Sequence, residues 1–179
     1  MTVKIMSRKD LMELARVPFP ADVAVISITD SDDEDVELLH QPEHLLRLKY
    51  DDVSDEIFEQ LLGRKPTIAE MRRISSRLHM ISNAQIQQIA EFVISRNNTG
   101  TLICQCEYGQ SRSAAIAAAV EEYYHRRGVR IFADTRYYPN KYIFRKLLKS
   151  LQACGPKYDK IRGGAGQNTA APKHNLGKC

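Results

Sequence analysis

The sequence contains no apolar run long enough to cross a bilayer, and its alanine-rich stretch near residue 115 falls far short of that length. Its opening residues, MTVKIMSRKD, lack the apolar centre of a secretory signal, so a cytoplasmic protein is expected. Cysteine is scarce: Cys104, Cys106, Cys154 and Cys179 cannot form a dense disulfide framework in 179 residues. The C-x-C at 104 and 106 is poor metal spacing, and no C-x-x-C or paired Cys/His cluster accompanies it, so no metal or cofactor is expected. Cys104 and Cys154 read as small core side chains and Cys179 as an exposed tail thiol. Internal repeats are absent. So are the interleaved aromatic and basic motifs of nucleic-acid modules, so no nucleic-acid partner is expected.

What is present is an ordinary apolar fraction, 43%, in a chain whose length suits one domain with a substantial core. Residues 1–162 are expected to form that domain. Residues 163–179, GGAGQNTAAPKHNLGKC, are polar and glycine-rich and are expected to be a disordered tail. The net charge of +4 is unevenly spread. Residues 1–121 carry 13 basic and 19 acidic side chains, whereas residues 122–179 carry 13 and 3. A basic half favours anionic substrates, although solvated helix faces explain much of it. Oligomeric state has no signature here.

Strand-like runs alternate with amphipathic ones. VKIM (3–6), VAVISI (23–28), HLLRLKY (44–50) and TGTLICQ (99–105) read as strands. Helices are predicted over 8–16, over 55–62 up to Gly63, and from the capping box Thr67-x-x-Glu70 to about 80. A second box, Ser82-x-x-Gln85, opens a helix with Ile86, Ile89, Ala90 and Val93 inward. A helix from Ser113 to about Arg127 is expected to stop at Gly128. The last one starts at Pro139-Asn140 and buries Ile143, Leu147, Leu148 and Leu151. TDSDDEDVE (29–37), with six acidic residues, reads as a solvated loop. The alternation predicts an α/β fold, a mostly parallel sheet of four to five strands flanked by helices. Ligands in such folds bind beyond the carboxyl ends of the strands.

The strand ending at Gln105 delivers Cys106 to that edge. The turn that follows runs Cys106-Glu107-Tyr108-Gly109-Gln110-Ser111-Arg112-Ser113. Over this spacing the backbone can curl so that successive N–H groups converge, an anion nest at a helix N-terminus. Gly109 gives the curl its freedom. Arg112 adds a planar, permanently charged fork matched to two phosphate oxygens. Thiols in such positive fields ionise readily, and the thiolate is the nucleophile. Ser113 can offer the sulfur a hydroxyl. A thiolate beneath a bound phosphate attacks phosphorus and forms a phosphocysteine that water hydrolyses. The leaving oxygen then requires a general acid from elsewhere.

CEYGQSRS resembles the C-x-x-G-x-x-R-S signature of cysteine-based protein tyrosine phosphatases, the compact dual-specificity branch above all. The strand before it, the small-residue helix after it and RYYPNKYIFRKLL (136–148) agree with that resemblance, which covers most of residues 20–152. The Pro139-Asn140 helix start is similar to that of compact bacterial and phage relatives. The resemblance implies Cys106 as nucleophile, Arg112 as phosphate clamp and Ser113 as an aid to intermediate breakdown. Backbone amides of Glu107, Tyr108, Gly109, Gln110, Ser111 and Arg112 would cradle the phosphate. The acid is an aspartate just past a preceding strand: Asp52, with Asp51 as alternate and Asp55 third. One of the first two could instead cap the helix at 55–62. The substrate implied is a phosphorylated protein or peptide, phosphotyrosine first and phosphoserine or phosphothreonine open.

Two departures stand out. The family carries histidine before the cysteine; here Gln105 stands there, which implies slower turnover. The stretch from Asp52 to Cys106 is long, with residues 63–81 as an insertion that packs on the sheet or covers the site. Three rivals remain: a phosphate-binding module without turnover, a phosphatase for phosphoinositides or RNA 5′-phosphates, and a rhodanese-like or arsenate-reductase enzyme. The last fits least, because low-molecular-weight arsenate reductases carry their loop early in the chain and rhodanese loops lack the Arg-Ser-helix pairing. His40 and His44, four apart near acidic residues, read as exposed loop histidines rather than ligands. His79 and His125 have no partner visible in the sequence.

Overall fold

The computed structural model describes residues 1–53, 59, 63–65, 67, 69–70 and 78–154. The helix expected over 55–62, most of the helix expected after Thr67, Asp55, Cys179 and the 163–179 tail lie outside them. Within them the order is β1 (Thr2–Ser7), α1 (Arg8–Leu14), β2 (Val23–Thr29), β3 (His44–Lys49), α2 (Asn83–Ser95), β4 (Thr101–Cys106), α3 (Arg112–His125), α4 (Val129–Ala133) and α5 (Lys141–Cys154). The four strands form one sheet in the order β1-β4-β2-β3, and every pairing is parallel. This is the expected α/β architecture.

Parallel strands buried on both faces read as unbroken apolar runs, and β2 is buried at all seven positions. Its side chains still alternate. Ala24, Ile26 and Ile28 join the large core under α2, α3 and α5, while Val23 and Val25 join a smaller one under α1 with Leu11 and Ile103. The same period sends Leu102, Cys104 and Cys106 of β4 to the large core. Ile103 and Gln105 therefore face the other way. Register pairs Ser27 with Gln105, and the Ser27 hydroxyl donates to Gln105 Oε1 at 2.7 Å. Gln105 is fully buried, and among the described residues its Nε2 has no partner.

Helix α3 is buried from Arg112 through Val120, as expected of a helix enclosed on all sides. Its run of alanines keeps it thin enough to lie between the sheet and α5. Ile143, Leu147 and Leu151 of α5 are the buried stripe on the far side. Both expected capping boxes are formed. Ser82 Oγ accepts from Gln85 N–H at 3.2 Å while Gln85 Oε1 accepts from Ser82 N–H at 2.9 Å. Thr67 and Glu70 exchange the same pair of bonds. A third box, Ser7 with Asp10, opens α1.

Several boundaries differ from the sequence reading. The strand before the turn runs one residue further and includes Cys106 itself, and α1 ends at Leu14 rather than 16. Helix α3 does not stop at Gly128. Arg126 ends it in the left-handed conformation, φ 56°, with its N–H on the carbonyls of Glu121 and Glu122. Gly128 is glycine for another reason: a Cβ there would lie 2.5 Å from the Ala118 carbonyl oxygen. Helix α4 carries no long periodic pattern and was not expected. The acidic loop is solvated as expected, with Asp32, Asp33, Glu34, Asp35 and Glu37 exposed, yet it is tied to the fold. Val36 is buried, Arg47 donates to its carbonyl, and Asp35 faces Arg47 and Lys49.

Candidate active site

Because all four strands run the same way, their carboxyl ends share one edge, where Ser7 is paired in register with Cys106. Asp30 follows β2 at this edge, and Asp51 and Asp52 follow β3. The chain leaving β4 curls before entering α3. Gly109 takes φ +68°, and a Cβ there would lie 2.7 Å from both the Met6 carbonyl carbon and the Ser7 nitrogen. The turn therefore requires glycine twice over, for its left-handed backbone and for its close approach to β1.

Two outside contacts set the orientation of the curl. The Glu107 carbonyl accepts from Arg8 N–H at 3.0 Å, and the Gln110 carbonyl accepts from Tyr138 N–H at 2.9 Å. A trans peptide unit points its N–H opposite to its C=O. The amides of Tyr108 and Ser111 accordingly face away from those partners. Among the described residues, the N–H groups of Tyr108, Gly109, Gln110 and Ser111 find no protein acceptor. Unpaired backbone donors are costly unless water or an anion takes them. Four in a row at a helix N-terminus are the arrangement that binds anions.

Cys106, at the end of β4 where this loop begins, is 3% exposed. Its Sγ is 3.0 Å from Ser113 Oγ, on the first turn of α3. Arg112 is 4% exposed. Its Nη1 donates to the Tyr50 carbonyl at 2.7 Å and pairs with Asp30 Oδ1 at 2.5 Å, while among the described residues its Nε has no partner. One edge of the guanidinium is thus anchored and another still has a donor to offer. Tyr50 is wholly buried. Burial pushes its phenol well above the ordinary range; Arg112 opposes the shift, and Cys106 and Asp52 add to it. Burial likewise drives the Cys104 thiol up, so Cys104 stays protonated as a core side chain. Cys154 is only half-buried.

The adjacent aspartates have different surroundings. Burial raises the Asp51 carboxyl, but hydrogen bonds from Ser31 N–H, His79 N–H and the Ser31 hydroxyl outweigh it and hold the group below the usual carboxylate value. Those bonds are 3.0, 2.6 and 2.8 Å long, so Asp51 fastens three chain segments together. Asp52 accepts from Asn140 Nδ2 at 2.9 Å. Neither the Asp30–Arg112 pair nor the Asn140 bond was visible beforehand. Asp30 lay unmarked among six acidic residues, and Asn140 was noticed only as a helix start.

The remaining candidates do not assemble. Among the described residues no group of three His, Cys, Asp or Glu side chains is placed to hold a metal ion. His40 and His79 act through their backbone N–H groups, on Ala15 and Asp51, and His125 touches the Met1 carbonyl. A groove of about 740 Å³ runs beside the loop, lined by Arg8, Met12 and Arg16 of the α1 region, Leu39, Glu107 and Tyr108. Tyr108 is 78% exposed at its mouth.

No family model matches the sequence, and no curated protein does. Among solved structures, the chain is similar to PTPMT1 in complex with PI(5)P, at 13% identity and a TM-score of 0.48, over 85% of this chain and 91% of that one. It is similar to human DUSP28 at 17% identity and a TM-score of 0.41, over 84% and 92%. It is similar also to the Yvh1 phosphatase domain from Chaetomium thermophilum at 16% identity and a TM-score of 0.43, over 82% and 87%.

Proposed function

We propose that the chain is a phosphomonoesterase that works through a phosphocysteine, with phosphorylated proteins or peptides as substrates and phosphotyrosine foremost. The observation that carries this reading is the row of unpaired amides from Tyr108 to Ser111, running in the chain from Cys106 to Arg112, whose buried Nε has no partner among the described residues. Such a site suits a tetrahedral dianion.

In the proposed mechanism the amides of residues 107–112 and the Arg112 guanidinium hold the three non-bridging phosphate oxygens. The Cys106 thiolate attacks phosphorus opposite the ester oxygen. The P–O bond breaks, its electron pair stays on the leaving oxygen, and protonated Asp52 supplies the proton. In the second step the Asp52 carboxylate takes a proton from water as the water oxygen attacks phosphorus. The S–P bond breaks, and the Ser113 hydroxyl donates to the departing thiolate. Asp52 fits this role better than Asp51, because both Asp51 oxygens are occupied by Ser31 and His79. The groove beside Tyr108 leaves room for peptide flanking the phosphorylated residue.

The test is a panel of phosphorylated peptides, phosphoinositides and 5′-phosphorylated nucleotides, assayed with wild type and with Cys106→Ser. Release of phosphate from phosphotyrosine peptides by wild type alone is expected. Equal release by both proteins overturns the nucleophile. No release from any substrate, with inorganic phosphate still bound, replaces the enzyme with a binding module.

A further inference from the structure

We propose that Asn140 is a positioning residue for the acid: its amide determines which oxygen of Asp52 carries the proton. The inference rests on the reading of Asp52 as proton donor. Asn140 is 4% exposed and uses its whole hydrogen-bonding capacity. Its Oδ1 accepts from the N–H groups of Tyr142 at 3.1 Å and Ile143 at 3.2 Å, the N-terminal cap of α5. Its Nδ2 donates to Asp52 Oδ1 at 2.9 Å and to the Val53 carbonyl at 3.2 Å.

The cap fixes the polarity of the amide. A flip would set its NH₂ against two N–H donors and its oxygen against a carboxylate and a carbonyl, losing all four bonds. Nδ2 must therefore face Asp52. An oxygen already accepting that N–H is a poor place for a proton, so the proton sits on Oδ2, and Oδ2 is the oxygen left to meet the leaving group. The arrangement asks more than a helix cap requires. Asn, Asp and Ser cap about equally well, but of the three only asparagine caps through its oxygen and keeps a separate nitrogen with two donors, here used on Asp52 and the Val53 carbonyl. The one residue joins the start of α5 to the loop after β3 and keeps the acid from rotating.

Several ionisable groups share these surroundings. The buried Tyr50 phenol feels the charge of Arg112 and, with opposite sign, those of Cys106 and Asp52. Asp51 is turned away onto Ser31 and His79, and Lys141 beside Asn140 is exposed.

Four variants test the inference: Asn140→Ser, Asn140→Asp, Asp52→Asn and the double variant Asp52→Asn with Asn140→Ser. Serine keeps the cap but cannot reach Asp52. Aspartate keeps the cap and sets an acceptor against an acceptor, and facing carboxylates hold a proton to higher pH. Thermal melts confirm that each protein is folded, and aryl phosphates of graded leaving-group strength supply the kinetics. Asn140→Ser is expected to lower kcat about 5- to 30-fold on the poorest leaving group and less than about 2-fold on the best, a fraction of a full general-acid effect. Asn140→Asp is expected to move the alkaline limb of the kcat/KM profile up by about one pH unit. In the Asp52→Asn background the serine substitution should cost nothing further. Equal loss on all leaving groups, an unmoved limb, or losses that multiply in the double variant would reduce Asn140 to a helix cap. An Asp52→Asn protein with no leaving-group dependence overturns the acid assignment itself, and this inference with it.

Discussion

Asp30 Oδ1 lies 2.5 Å from Arg112 Nη1, an ion pair that joins the end of β2 to the start of α3. The arginine is buried and the aspartate partly exposed, 4% against 43%. The pair places a negative charge one guanidinium away from the loop that is proposed to take a dianion. Asp30→Asn keeps an acceptor for Nη1 but removes the charge. Inorganic phosphate should then inhibit about 3- to 10-fold more tightly, as expected for a partly exposed unit charge a few ångströms off at a dielectric close to that of water. The gain should shrink as salt is added. Competitive inhibition at two ionic strengths reads both effects, and weaker inhibition would mean that Asp30 serves the site rather than opposing its ligand.

Ser113 Oγ sits 3.0 Å from Cys106 Sγ. A hydroxyl donating to a charged group contributes about 1.5–3 kcal/mol, roughly 10- to 150-fold in rate if the bond forms only as the thiolate departs. Ser113→Ala should therefore slow breakdown of the intermediate more than its formation. Rapid-quench trapping should find phosphoenzyme accumulating in the variant, preceded by a burst of the leaving group. A burst no larger than that of wild type contradicts this role.

Asp51→Asn should act on stability rather than on chemistry. Losing a carboxylate that accepts from Ser31 and His79 costs about 1–3 kcal/mol. Its depressed native value means that the ionised form stabilises the fold. That contribution is fully present above the unfolded value of about 3.9 and is lost as pH falls through the lower native one. The melting temperatures of wild type and variant should differ most at neutral pH and converge as the pH falls below both the unfolded and the native values. A constant gap across that range would remove the ionic account.

Gly109→Ala adds a methyl group where the backbone of Met6 and Ser7 already stands, at φ +68°. Strain at a left-handed position alone costs about 1–3 kcal/mol, and here β1 or the loop must also move. Protein that remains folded should bind inorganic phosphate at least about tenfold more weakly, since reorienting the amides dismantles the nest. Isothermal titration measures this directly. Unchanged affinity would show that the loop does not need this curl.

The strand–turn–helix segment was legible because each of its signals is local. A β-branched and cysteine-ended run, a glycine at the bend and an alanine-rich helix all lie within one short segment, and periodicity reports such things. Both capping boxes were readable for the same reason, since a box is a contact across three residues. The stop of α3 was misread because Gly128 served a close approach to Ala118, a contact that proximity in sequence does not announce. The acidic run was read correctly as solvated, but only the packed fold sets Arg112 against Asp30, and Arg47 and Lys49 against Asp35.

The amino-acid sequence by itself determined where the four strands and helices α1, α2, α3 and α5 fall, and that a cysteine, a glycine and an arginine share one turn. Short-range sterics and the burial period decide those matters without reference to distant residues. Tertiary structure alone decided the strand order β1-β4-β2-β3, which brings the ends of β2 and β3 to the same edge as Cys106. It also decided the unlike surroundings of two adjacent aspartates, one held by Ser31 and His79 and the other by Asn140 from a helix 88 positions away. Nothing in a dipeptide separates its two carboxylates; only the groups packed against each of them can.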